Sequence, residues 1–318
     1  MSLRPAAHLC RQSRGFTLVE LMIGLALLLV VGGAAGRLVV ATQRVTGAQL
    51  QQATMQDAVR TGGLLLANEL DVLGYDEVTP AAIARFPGST LVPGSNPDLL
   101  VLGRDSITYR GFRAFGFTCA ASATAEVVLR NTAAVPLMAV RPIAATDSVM
   151  LFVENDTASV DDDLWLSFGL AAVPDPASCP DGSPGVRLRL TIPPGLGIAA
   201  AGLAANLVVG GPVRTFEVSQ IRSYLSGGRR WLGLQARPGT GTVIEPVLGP
   251  LSEGGAGHGL ELAYLDASGA ATAIANDVRG IEVGLEAVSE ELVRTTGRTA
   301  VDTVGSLSRI ALRNALRP

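Results

Sequence analysis

The sequence predicts an α+β chain in which one long N-terminal helix carries a large, antiparallel, β-rich head. Three observations lead there. Residues 16 to 36 form an apolar run whose only charge is Glu20. A one-sided apolar stripe follows from Val45 to Leu73. Short apolar segments between Gly, Pro and Asp turns fill most of the remaining 318-residue chain.

The apolar run comes first. Its 21 residues reach about 31 Å as a helix, enough for one bilayer crossing. Residues 1 to 15 hold Arg4, His8, Arg11 and Arg14 and no acid, whereas 16 to 36 hold no basic residue, which predicts a cytoplasmic N-terminus and an exported remainder. GGAAG at 32 to 36 imitates a signal-peptidase site, but a cleaved signal peptide leaves Glu20 unexplained. An acid in hydrocarbon costs about 2.5 to 3.5 kcal/mol at a helix centre, so Glu20 needs a partner. Gly32, Gly33 and Gly36 each cost roughly 1 kcal/mol relative to Ala. They mark either a stretch where the helix opens or a close contact with another membrane helix.

Beyond the run, Val45, Ala48, Gln52, Met55, Val59, Gly62, Leu66, Leu70 and Leu73 recur at three- and four-residue steps. One helix from about 17 to 73, about 85 Å long, is expected, with Gly74 as its stop. The organisation read from the sequence is therefore 1–15, a leader; 16–42, the membrane half of the helix; 43–75, its amphipathic half; and 76–318, the head.

In the head, strands are expected at Leu99 to Leu102, Ser106 to Tyr109, Glu126 to Arg130, Val149 to Val153, Val186 to Ile192, Val213 to Tyr224, Trp231 to Ala236, Leu260 to Leu265, Ile281 to Ala287 and Leu307 to Leu312. Alternation is clearest at Ile281, Val283, Leu285 and Ala287, which predicts a sheet with one buried side. Insertions are expected around 76 to 98 and 155 to 206.

Composition excludes several functions. All 25 basic residues are Arg, so Schiff-base, Walker and Ser-Lys chemistries are absent. The net charge is −3, and loss of Arg4, Arg11 and Arg14 with a leader leaves 22 Arg against 28 acids, or −6, the wrong direction for whole-face nucleic-acid binding. If Cys10 also leaves, Cys119 and Cys179 remain in an oxidising compartment as either a disulfide or two buried thiols.

Enzyme motifs fail on inspection, and no catalytic residue is assigned. Gly195-Leu196-Gly197-Ile198 imitates a dinucleotide fingerprint with Glu217 twenty residues on, but Pro193 and Pro194 stand where a strand-to-helix turn is needed. Glu154-Asn155-Asp156 with Asp161-Asp162-Asp163 offers oxygen ligands for Ca²⁺ without EF-hand spacing, and the simpler reading is a solvated acidic turn. His258 in GGAGHG has no nucleophile beside it in the sequence. No enzyme, cofactor or metal is expected.

The order Arg14-Gly15-Phe16-Thr17-Leu18-Val19-Glu20 before an apolar run resembles the class III leader of type IV prepilins and type II secretion pseudopilins. The resemblance implies a pilin-like fold and cleavage between Gly15 and Phe16 by a prepilin peptidase, with N-methylation of Phe16. It also implies that Glu20 is an assembly residue facing the new amino terminus of a neighbouring subunit. An opposite charge nearby offsets much of the desolvation cost of such an acid. Implied partners are other minor and major pilins or pseudopilins, the inner-membrane assembly platform and inner-membrane lipid. The implied location is the inner membrane, with the head periplasmic, and then a fibre.

The helix ending Asn68-Glu69-Leu70-Asp71-Val72-Leu73-Gly74-Tyr75-Asp76 resembles the D-L-R-x-A-G-Y ending of W-type minor pilins, the PilW family, departing from it at Val72 and Leu73. The pattern at 245 to 269 with the strand after Val278 is similar to both W-type minor pilins and J-type minor pseudopilins. These resemblances imply a minor pilin that helps prime assembly in the tip complex, with the J-type pseudopilin as the alternative. A third reading is a membrane-anchored protein whose head grips DNA or a surface ligand through Arg222, Arg229 and Arg230 beside Tyr224 and Trp231. The plainer account of those arginines is an exposed hairpin.

Overall fold

The computed structural model describes residues 16–73, 98–153, 164–194, 199–253, 259–289, 293–295 and 298–312. Helix α1 runs unbroken over Leu18–Leu70, 53 residues or about 80 Å. It contains no Pro and is rich in Leu and Ala, whose helix propensity offsets the cost of its glycines. Gly32, Gly33 and Gly36 do not interrupt it, and nothing lies within 4 Å of where their Cβ atoms would stand. The last turn closes through Asp71 N to Ala67 O at 2.9 Å and Leu73 N to Leu70 O at 3.2 Å. Gly74 lies outside the described residues.

The stripe divides in two. Met55, Val59, Gly62, Leu66, Leu70 and Leu73 are buried, whereas Val45 and Gln52 are exposed and Ala48 is half-buried. Only the last third of α1 rests on the head. Contact is close at Gly62, where a Cβ would stand 2.6 Å from Leu248 Cδ2.

The head strands are β1 (Leu99–Leu102), β2 (Ser106–Ser122), β3 (Glu126–Arg130), β4 (Met138–Ala139), β5 (Ser148–Val153), β6 (Leu164–Leu170), β7 (Asp175–Ser178), β8 (Pro184–Thr191), β9 (Pro212–Ser226), β10 (Arg229–Ala236), β11 (Glu245–Leu251), β12 (Leu260–Leu265), β13 (Gly280–Val288), β14 (Val293–Thr295), β15 (Arg298–Ala300) and β16 (Thr303–Ala311). A short helix, α2 (Ala200–Asn206), precedes β9. Among the described residues every pairing is antiparallel; fourteen strands join one sheet, and β14 and β15 form a separate pair.

That sheet has two parts sharing β2 and β9. In the first, β2 pairs β3, β3 pairs β8, β8 pairs β6, β6 pairs β5, β5 pairs β9, and β9 returns to β2. The ring encloses a core of Val127, Leu129, Val149, Leu151, Leu166, Phe168, Leu188 and Val213, to which α2 adds Leu203. Inward and outward side chains alternate around it, as a closed barrel requires. In the second part the sheet runs from β9 through β10, β11, β13 and β12, with β16 on β13. Here Ile107, Ile221, Leu232, Leu251, Ile281, Val283 and Leu285 cover the buried face of α1.

A polar seam separates the cores. Along the inner side of β9 the order is Val213, Thr215, Glu217, Ser219, Ile221: the outer two are apolar and belong to different cores, and the middle three are buried and polar. Arg113 answers two of them, donating from Nε to Glu217 Oε1 at 2.9 Å and from Nη2 to Ser219 Oγ at 3.0 Å, while Arg141 pairs with the other carboxylate oxygen.

The stretch at 155 to 206, expected as an insertion, is built into the sheet over its described residues. They supply β6, β7, β8 and α2, and β6 and β8 close the ring.

Candidate assembly and processing site

Phe16 stands at the exposed start of the helix. Thr17 is the N-cap in extended conformation, and Glu20 is the third residue of the first turn. The Glu20 amide donates to Thr17 Oγ1 at 3.2 Å. In return Glu20 Oε2 accepts from the Thr17 amide at 3.2 Å and from its hydroxyl at 3.3 Å. This is a reciprocal capping box, and it sets the carboxylate at the positive end of the helix dipole. The acid in the apolar run thus has a partner within its own chain. Its sequence signal is the spacing Thr17-x-x-Glu20 ahead of an apolar run. Gly15, the other side of the expected cut, lies outside the described residues.

From Phe16 to Gly47 every residue is exposed, including Leu25, Leu28, Val31 and Leu38. A face this apolar, uncovered by its own head, matches lipid or other apolar helices.

Residues 10–36 match the family model described as the prokaryotic N-terminal methylation motif. The match supports a type IV pilin- or pseudopilin-like chain. The match covers the leader and apolar run, and the long helix with its antiparallel head supplies the rest of that likeness. No curated protein and no solved structure matches the chain. A leader of this kind implies processing by a prepilin peptidase and assembly with other pilins. Together with the exposed apolar helix it supports a membrane-anchored pilin.

In the head of this pilin-like chain, Cys119 on β2 and Cys179 just beyond β7 form a disulfide with Cα atoms 5.6 Å apart, both cysteines buried. It ties the turn before β8 to the ring wall. The turn has its own supports: the Cys179 amide donates to Ser183 O at 2.9 Å, and Gly182 adopts φ +77°. Asp181 accepts from the Ser183 hydroxyl at 2.6 Å and from Arg130 Nη1 at 2.7 Å. The Ser183 hydroxyl, then the Ser183 amide and Arg130, hold the Asp181 carboxyl below the usual range.

The arginine-aromatic constellation falls on the β9–β10 hairpin, turned by Gly227 and Gly228, both with positive φ. Tyr224 and Trp231 are direct cross-strand partners. Their rings are engaged: a Cβ on Gly233 would stand 2.5 Å from Tyr224 Cε1, and one on Gly249 would stand 2.6 Å from Trp231 Cε3. Each ring covers backbone at a glycine, which removes one stacking face.

Among the described residues no group of three His, Cys, Asp or Glu is placed to hold a metal. The acidic segment Glu154 to Asp163, Gly195 to Ile198 and His258 lie outside the described residues.

Proposed function

We propose that this chain is a non-enzymatic minor pilin of the W type, which a prepilin peptidase cuts after Gly15 and which helps prime a type IV pilus from its tip complex. The observation that carries the reading is the prepilin-type leader joined to a helix whose first two-thirds is left bare by its own head. A subunit with that much uncovered apolar helix needs lipid before assembly and neighbouring helices after it. The helix ending at Asn68 to Leu73 and the large β-rich head support the minor, W-type assignment.

In this account the subunit waits in the inner membrane with its N-terminus cytoplasmic and its head periplasmic. Phe16 presents a methylated amine, and Glu20 moves from its own cap to a neighbour's amine on assembly. The test is deletion of the gene in its native host. Loss of pili and of twitching supports the pilus reading. Normal piliation with exoproteins held in the periplasm overturns it in favour of a J-type pseudopilin.

A further inference from the structure

Between Glu20 and Asp57 the chain carries two charges, Arg37 and Arg44. They are seven residues apart on unbroken helix, nearly two full turns, so they share one side of it, and both are exposed. Arginine this close to the exported end of a span runs against the usual charge bias, so its presence there asks for a reason.

The apolar surface does not end at Arg37. Leu38, Val39, Val40 and Ala41 follow it, and the Thr42 hydroxyl is turned back onto Leu38 O at 2.8 Å. Residues 16 to 41 would make an apolar cylinder of about 39 Å, some 9 Å longer than a typical hydrocarbon core, with Arg37 inside its outer end. Long side chains on a helix tilt toward its N-terminus, here toward the membrane interior. Arg37 is therefore poorly placed to climb a full turn outward past Ala41, and sinking the whole cylinder would bury the guanidinium.

We propose that Arg37 is a depth stop whose guanidinium holds the phosphodiester of an outer-leaflet phospholipid. Guanidinium and phosphate match as a two-pronged, charge-assisted pair. With the Arg37 backbone at the outer boundary of the hydrocarbon core, Phe16 lies about 31 Å below it, near the opposite boundary, and Leu38 to Ala41 stay among the headgroups. Arg44, about 10 Å further out on the same side, tilts back toward the membrane and contacts the headgroups from above. The proposal rests on the orientation under Proposed function, N-terminus inside.

The test uses the full chain with Cys10→Ser, in nanodiscs of phosphatidylethanolamine and phosphatidylglycerol, carrying an environment-sensitive fluorophore on Val40→Cys or on Leu28→Cys. With Arg37 present the Val40 probe reports water and the Leu28 probe reports hydrocarbon. Arg37→Leu should draw the Val40 probe into hydrocarbon by about one turn, roughly 6 Å, and Arg37→Lys should leave it where it was. A Val40 probe unmoved by Arg37→Leu, or already in hydrocarbon beside Arg37, overturns the depth stop. A Leu28 probe in water overturns the membrane anchoring beneath it. Retention of phosphatidylglycerol in native mass spectra should fall about fivefold for each arginine replaced by leucine, and equal retention by the double variant overturns the phosphate contact.

Discussion

Glu20 and Thr17 satisfy each other's helix-end groups, the amide of each bonding to the side chain of the other at 3.2 Å. The acid at the start of the apolar run is thereby held within its own chain, and the proposed assembly step requires the carboxylate to pass from this cap to a neighbour's amine. Thr17→Val removes the hydroxyl from this arrangement and should weaken the first turn by about 1 kcal/mol, read as roughly fivefold faster hydrogen exchange at the Glu20 and Leu21 amides in detergent; Thr17→Ser should restore it. Glu20→Ala should still be processed at Gly15 but co-purify less with other pilins. Undiminished co-purification would separate Glu20 from assembly.

The Cys119–Cys179 bridge closes a loop with a sequence separation of 60. In the chain-entropy account such a loop is worth about 4 kcal/mol. The double Cys→Ser variant should unfold at markedly lower temperature, and a reductant should bring the parent chain to the same midpoint. A midpoint indifferent to both would show that the ring and its turn hold without the bridge.

Glu217 and Arg113 are buried, with side chains 1% and 8% exposed. Removing one partner leaves the other charged and dry, so Glu217→Ala should cost about 3 to 5 kcal/mol. Replacing both Arg113 and Glu217 by Met should cost less than either single truncation. Thermal unfolding of the four-member cycle measures this, and a double variant as destabilised as either single would refute it.

Gly62 and Gly63 are neighbours in α1 with opposite demands. A side chain at Gly62 meets Leu248, whereas nothing lies within 4 Å of a Cβ at Gly63. Gly62→Val should therefore destabilise by about 1 to 3 kcal/mol through overpacking, and Gly63→Ala should stabilise by about 1 kcal/mol through helix propensity. Equal effects at the two positions would contradict the packing of α1 on the sheet.

Tyr109 is fully buried and donates to Glu69 Oε2 at 3.1 Å. Burial first, and the Glu69 charge and hydrogen bond next, push its pKa well above the ordinary phenol value; burial also raises that of Tyr264. Raised acids contribute stability that is complete below the unfolded-state value of about 10 and lost as pH climbs through the folded-state value. Stability should thus fall above about pH 10, and less steeply in Tyr109→Phe.

The sequence was most legible where one rule acts alone. The leader, the apolar run and the head-packed part of the stripe follow from charge order and a three-to-four period. Strands Leu99–Leu102, Glu126–Arg130 and Leu260–Leu265 end where the sequence places them, because turn residues bound them. Elsewhere tertiary pairing overrode local signals. Strand β2 runs on past the expected end at Tyr109 to Ser122, through Gly111, Arg113 and Gly116, where two glycines and a charge interrupt the apolar pattern but serve the seam and close contacts inside the ring. Strand β11 contains Pro246 and Pro250, β7 contains Pro176, and β6 follows an acidic run, so all three were hidden. Ring closure by β6 and β8 rests on two residue pairs, Gly169 with Thr191 and Leu170 with Leu190, which no local pattern marks.

The central claim is that leader cleavage at Gly15 creates the mature subunit and keeps its apolar helix. Intact and N-terminal peptide mass spectrometry of the protein purified from its native host tests it most directly. The account predicts a chain that begins with N-methylated Phe16. A chain beginning at Met1, or one cut beyond Gly36, would contradict it.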